Sequence, residues 1–348
     1  MNVDRKELVH ALEIVYPAVG TNALLPVFQN VKVDGAIVEG TDGAIKIETT
    51  LPVDLGLHFC VNASGFLSLL RSLKYDQIDL ELKDNILQVK TDKMEGEFKL
   101  TSNAKFPRIE FSDNIVSEID LAGLHDGLAM CKLGVSQDET AGVLCGVIFT
   151  PTDAKGETYL YATDRFRILR AKWTNPYKEQ FSLPIKFIDI LMKGLFSKII
   201  FMDYTGDRFQ VQLKDGTNLS TLVHDGNFMD LAAFYPTKDM KYLDVGFESD
   251  FKDIFARHTV FLKEMDMVDK EVSITAKDHV CVLKSHANKL GVLEEETYVS
   301  TPEALSFSLN PVLVQDILSK ADSFKFYDAE GIVLFTSGDL EYLIQTRE

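Results

Sequence analysis

Apolar and polar positions along the chain keep two rhythms. In VDRKELVHALEIV (3–15), Leu8, Ala11, Leu12 and Val15 recur at i, i+3, i+4 and i+7, one face of a helix. GAIVEG, AIKIET, QIDLELKD, ILQVKT and EGEFKLTS alternate with period two, as half-buried strands do. Between these strands, ASGFLSLLRSLKY (63–75) returns to the helical period and predicts burial of Phe66, Leu67, Leu70 and Leu73.

The same succession occurs three times. It starts at Phe59 (FCVNASGFLSLLRSLKYDQIDLELKDNILQVKTD), at Phe181 (FSLPIKFIDILMKGLFSKIIFMDYTGDRFQVQLKD) and at Phe307 (FSLNPVLVQDILSKADSFKFYDAEGIVLFTSGD). Each copy predicts a short extended segment, an amphipathic helix, a strand, an Asp-centred turn and a second strand. The starts lie 122 and 126 residues apart. A second landmark keeps the period: Thr41-Asp42 and Thr163-Asp164 are also 122 residues apart, and each threonine precedes its phenylalanine by 18. In the third copy Asn288 falls near that position. Residues 119–133 (IDLAGLHDGLAMCKL) and 247–262 (FESDFKDIFARHTVFL) are counterparts of the first helix. The repeats are of domain size, too long for solenoid units. They predict an α+β fold of three tandem domains, near 1–115, 116–238 and 239–348, each with two helices on antiparallel sheets. FPRIEFSDNIVSE and FYPTKDMKY read as the connections.

Composition narrows the class. Apolar residues make up 46% and charged residues 26%, as in a soluble globular protein. No apolar run reaches the ~18 residues of a membrane helix, and the N-terminus does not read as a secretory signal, so a cytoplasmic protein is expected. Cys60, Cys131, Cys145 and Cys281 form no CxxC pair and have no histidine at ligand spacing; they read as core thiols in a reducing setting, with no metal site or cofactor. No phosphate-binding or nucleophile motif is present. A net charge of −17 argues against a surface that grips nucleic acid everywhere, but leaves room for a local basic face.

Several stretches, in this order, carry a resemblance: ALLPVFQNVKVDG (23–35), EGTDGAIKIE (39–48), AKFPRIEF (104–111), LCGVIFT...YATDRFRILRA (144–171) and LVHDGNFMD (222–230). With the triplication they resemble the bacterial replicative sliding clamp, the beta subunit of DNA polymerase III, over nearly the whole chain. The resemblance implies a non-enzymatic processivity factor. Two copies would form a head-to-tail homodimeric ring around double-stranded DNA, held non-specifically and topologically, with helices inside and sheets outside. It makes the cations of the second helices candidates for the DNA-facing surface: Arg71, Lys74, Lys186, Lys193 and Lys198. The third copy adds Lys320 and Lys325, balanced by Asp316 and Asp322. Phe106 and Ile109 match one side of the implied dimer interface, and Phe261 and Leu262 the other.

The resemblance also implies an outer pocket that receives peptides of the DNA polymerase and the clamp loader. Here it would comprise Leu144, Thr163, Arg165, Phe166, Arg167, Ile168, Met229, Phe234 and Leu343, with Gln345 at the rim. Apolar walls would supply affinity, and flanking cations would orient an acidic or polar peptide. The chain departs from the family at this site. Arg165-Phe166 replaces the usual Gly-His, Phe228-Met229-Asp230 replaces Phe-Pro-Asp, Gly142 and Val143 replace two tyrosines, Asn22 replaces a basic residue, and the C-terminus reads LIQTRE. These departures read as a divergent member, of phage or plasmid type. Two other classes compete: a carboxylate-dependent metal hydrolase using Thr41-Asp42-Gly43 and His224-Asp225-Gly226, and a repeat scaffold without DNA. Asp-Gly pairs also suit plain turns.

Overall fold

The structure is a computed structural model that describes residues 1–21, 25–112, 121–152, 156–174, 176–288 and 290–347, with residue 104 in its backbone only. Asn22 and the 115/116 boundary lie outside the described residues. Six helices are described: α1 (Arg5–Val15), α2 (Ala63–Ser72), α3 (Leu121–Cys131), α4 (Ile185–Met192), α5 (Asp250–Phe261) and α6 (Pro311–Leu318). Contacts group the chain into two compact units, Met1–Ile119 with Lys186–Val223, and Asp120–Ile185 with His224–Glu348.

The predicted succession is present in each copy. His58–Asn62, α2, Gln77–Lys83 and Ile86–Thr91 follow one another, as do Phe181–Pro184, α4, Ile199–Tyr204 and Arg208–Leu213, and Leu305–Leu309, α6, Ser323–Tyr327 and Ile332–Ser337. Side chains cap the starts of three helices. Asp4 accepts the Lys6 and Glu7 amides ahead of α1, Asn62 accepts Gly65 N ahead of α2, and Asn310 accepts Val312 N ahead of α6.

In the first unit, one antiparallel sheet runs Ile199–Tyr204, Arg208–Leu213, Asn218–Leu222, Ile45–Thr50, Ile37–Thr41, Asn30–Asp34, His58–Asn62. Asn218–Leu222 pairs with Ile45–Thr50, so strands 170 residues apart in sequence continue one sheet. Register places Val31, Gly40, Ile47 and Leu219 on one face. The predicted face of α1, Leu8, Ala11, Leu12 and Val15, is buried. The helix comes so near the sheet that a Cβ on Gly40 would stand 2.7 Å from the Val15 carbonyl oxygen, so only glycine fits there. Phe66 of α2 meets Phe59 edge-on at 6.1 Å, and Phe187 of α4 meets Phe209 at 6.3 Å. All three helices therefore share one sheet face. The other face carries a ladder of charge: Lys32 bonds Glu39 at 2.7 Å, and Lys46 reaches Glu39 and Glu48, each at 2.9 Å. The predicted connection lies across it, with Lys46 Nζ donating to the Ile109 carbonyl at 2.9 Å and Gln210 pairing with Ser112 at 2.8 Å both ways. A second sheet joins Asn2–Asp4, Gln77–Lys83, Ile86–Thr91 and Met94–Lys99 in that order.

The second unit holds a twelve-stranded antiparallel sheet. Within it Arg167–Lys172 pairs with Tyr159–Thr163 on one side and Leu340–Gln345 on the other. α3 packs on the face that carries Leu160 and Ala171, where a Cβ on Gly127 would stand 2.8 and 3.2 Å from them. Alternation sends Tyr159, Tyr161, Thr163, Ile168 and Arg170 to the opposite face.

Candidate functional site

The site grows from one turn. After Thr163 the chain must reverse into Arg167–Lys172, and two side chains shape the reversal. Thr163 Oγ1 accepts Arg165 N at 3.1 Å, while Asp164 Oδ1 accepts Phe166 N at 3.1 Å and Arg167 N at 3.2 Å. The earlier copy is built alike: Thr41 Oγ1 accepts Gly43 N at 3.0 Å, and Asp42 Oδ1 accepts Ala44 N and Ile45 N at 3.0 and 2.7 Å. The third residue of each turn is left-handed, Gly43 at φ +95° and Arg165 at φ +75°. Glycine enters that region freely; an arginine there costs roughly 1 kcal/mol.

The three arginines that follow Asp164 have different fates. Arg167 is turned inward. It bonds Asp164 at 2.9 Å, the Tyr342 hydroxyl at 2.6 Å, the Leu313 carbonyl at 3.1 Å and the Leu133 carbonyl, and it lies 3.5 Å from Asp316. Burial opposes its charge, but Tyr342 and Asp164 outweigh it and raise its pKa. Arg170 lies between Tyr235, 3.7 Å from the ring centroid, and Tyr159 at 4.8 Å, and bonds Glu341. Burial again opposes the charge, and Glu341 more than restores it. Arg165 is exposed and has no ion pair among the described residues. It stands close enough to Asp138 to help lower that carboxyl's pKa, after the Thr140 hydroxyl and amide.

Of the expected pocket, Leu144, Ile168 and Leu343 come together in one apolar cluster. Its other buried members are Ile148, Tyr161, Leu231, Tyr235, Tyr327 and Leu334, and Tyr235 Oη donates to the Ile168 carbonyl at 3.1 Å. Alternation carried the signal for Tyr161, which shares a face with Thr163. Thr163 is buried within the turn. Phe166 is 47% exposed, Met229 60% and Phe234 47%, three large apolar groups left in solvent. Met229 lines a cavity of about 970 Å³ beside the cluster, whose walls also include Tyr159, Arg170, Phe228 and Tyr235. Gln345 ends its strand, exposed.

The five expected cations of the first two copies fall in the first unit. Arg71 is held by Glu13 at 2.8 Å and Lys186 by Asp42. Lys74, Lys193 and Lys198 are exposed, without an ion pair among the described residues. Of the expected interface residues, Phe106 and Leu262 are core, 5% and 0% exposed, so they have almost no surface to offer. Ile109 and Phe261 are half-buried.

The carboxylates proposed as metal ligands are engaged in turns. Asp42 caps one and holds Lys186, and Asp225 accepts the amide of Gly226 at 2.7 Å. Among the described residues no three histidine, cysteine, aspartate or glutamate side chains group as metal ligands. Cys60, Cys131 and Cys281 are buried and Cys145 is half-buried; burial pushes the Cys60 and Cys281 thiols up to about 12. Among the described residues no helix is long and apolar enough to cross a membrane.

No protein-family model and no curated protein matches the sequence. Solved structures do. The pol III beta of Caulobacter crescentus superposes with a TM-score of 0.88, the DNA polymerase sliding clamp of Pseudomonas aeruginosa with 0.83, and the beta subunit from the DNA polymerase of Streptococcus pyogenes with 0.85. Each is 18% identical, and each match covers 100% of this chain and 99% of the other. The chain has the DNA polymerase III beta fold. At that identity the likeness is one of fold, and the side chains around Arg165 and Phe166 are this chain's own.

Proposed function

We propose that this protein is a DNA sliding clamp, a processivity factor and not an enzyme. It encircles double-stranded DNA and docks peptides of a polymerase and a clamp loader on its outer face. The observation that carries the reading is the beta fold over the full length of the chain. The three sequence copies are read as three clamp domains, 1–115, 116–238 and 239–348, whose sheets run on into one another.

Ring closure needs two complementary edges on each copy. Among the described residues Met94–Lys99 pairs only with Ile86–Thr91 and ends its sheet. In Gly291–Ser300, residues 291–298 pair with Val280–Ala287, but on the other side of that strand only Val299 and Ser300 have a strand partner among the described residues. Free edges of this kind invite strand pairing with another chain. Joined head to tail, two copies cover both edges and close a ring. Ile109 and Phe261 are the apolar members of the expected interface with surface left to add. Within the ring, Lys74, Lys193 and Lys198 supply loose, non-specific phosphate contacts, enough for sliding and weak enough not to stall it.

Solution mass tests the assembly. Light scattering at micromolar concentration is expected to give twice the 39.1 kDa chain mass. A species of 39.1 kDa would contradict the ring.

A further inference from the structure

The turn after Thr163 holds a feature that the fold does not require. The same hydrogen-bond frame around Thr41 and Asp42 uses glycine at its left-handed position, and the frame around Thr163 and Asp164 places Arg165 there. A residue kept in an unfavourable backbone region, where glycine serves the same turn, points to a use for its side chain. That side chain is in solvent, and the ring of the following residue, Phe166, is exposed too. Its neighbours cannot take its place. Arg167 is bonded to Asp164 and Tyr342, and Arg170 is stacked on Tyr235 and bonded to Glu341.

We propose that Arg165 is the specificity residue of the docking site, selecting peptides that carry an aspartate or glutamate beside their apolar anchor. This rests on the docking reading above. The apolar anchor takes the surface offered by Phe166, Met229 and Phe234, as the buried centre of a peptide interface does. The acid meets the Arg165 guanidinium in a charge-assisted hydrogen bond. Asp138, the carboxylate whose pKa Arg165 helps to lower, accepts the Thr140 amide at 3.0 Å and hydroxyl at 2.6 Å on Oδ1 and makes no ion pair with Arg165 among the described residues. The guanidinium is thus left to an incoming acid, and on a chain of net charge −17 it gives the docking face a local attraction for an acidic partner.

The test uses a random-peptide phage library selected on the full-length protein, with recovered peptides synthesised and their affinities measured. Wild-type protein is expected to enrich an acid at a fixed offset from an aliphatic or aromatic pair. Arg165→Gly should bind those peptides about tenfold more weakly, Arg165→Glu more weakly still, and Arg165→Lys should recover part of the loss. The Gly variant should melt at a higher temperature than wild type and keep its solution mass, which separates lost recognition from lost folding. Apolar peptides with no acid preference, bound equally by wild type and Arg165→Gly, would overturn the role of Arg165 and leave the docking site standing. Peptides whose binding survives both Phe166→Ala and Met229→Asp would overturn the docking reading itself.

Discussion

The guanidinium of Arg170 lies 3.7 Å above the ring of Tyr235 and bonds the Glu341 carboxylate, so a cation inside the second unit ties a strand to the 231–235 turn. A desolvated cation–π contact contributes about 2 kcal/mol. Arg170→Met removes the charge, keeps only a shorter apolar stem and leaves Glu341 without its partner, so it is expected to lose at least about 2 kcal/mol in urea unfolding. Tyr235→Leu should give a similar loss, and the double variant less than the sum, since both act through one contact.

The two Thr-Asp turns respond oppositely to substitution at the third position. Arg165→Gly relieves the left-handed strain and should raise stability by about 1 kcal/mol. Gly43→Ala introduces that strain and brings a Cβ to 3.0 Å from Phe28 Cζ, so it should lower stability by more than that. Thermal melts of the two variants check both signs.

His258 is fully buried on α5, its Nδ1 on Ser285 Oγ at 2.7 Å and its Nε2 3.8 Å from Glu295, which Arg257 holds at 2.6 Å. Burial keeps its pKa below the ordinary histidine value. Above about pH 6.5 both folded and unfolded chains carry it neutral. Below that pH the unfolded chain takes up a proton that the folded chain refuses, so stability falls as pH falls toward the folded pKa. His224, lowered by burial too, adds to the slope. His258→Asn should flatten the fall between about pH 7 and 5.5 in urea midpoints, leaving the His224 contribution.

Phe166 carries exposed apolar surface, which the proposed docking reading assigns to the peptide site. Phe166→Ala should sharply reduce stimulation of the partner polymerase on primed circular template while the solution mass stays that of the wild type. Loss of the assembly instead would remove Phe166 from the docking site.

Much of this was legible in the sequence, and the reasons are physical. The helical period fixed the buried face of α1 residue by residue, because burial repeats with the helix turn. It also marked Phe66, Leu67 and Leu70 of α2, but Leu73 lies just past the end of that helix, extended and half-buried. The Thr-Asp turn was readable as scaffold because its hydrogen bonds are local. The fate of Arg167 was not readable: its partners Leu133, Leu313 and Tyr342 lie 34 to 175 residues away in sequence. The burial of Phe106 was hidden for a similar reason, since an apolar residue in a connection reads alike whether it faces a partner or its own core.

The central claim is topological. With its clamp loader and ATP, the protein should load onto nicked circular DNA, remain through gel filtration, and be lost when the circle is cut. Retention should weaken at high salt and in a variant carrying Lys74→Glu, Lys193→Glu and Lys198→Glu, without changing the need for a closed circle. Retention that is the same on circular and linear DNA would contradict the account.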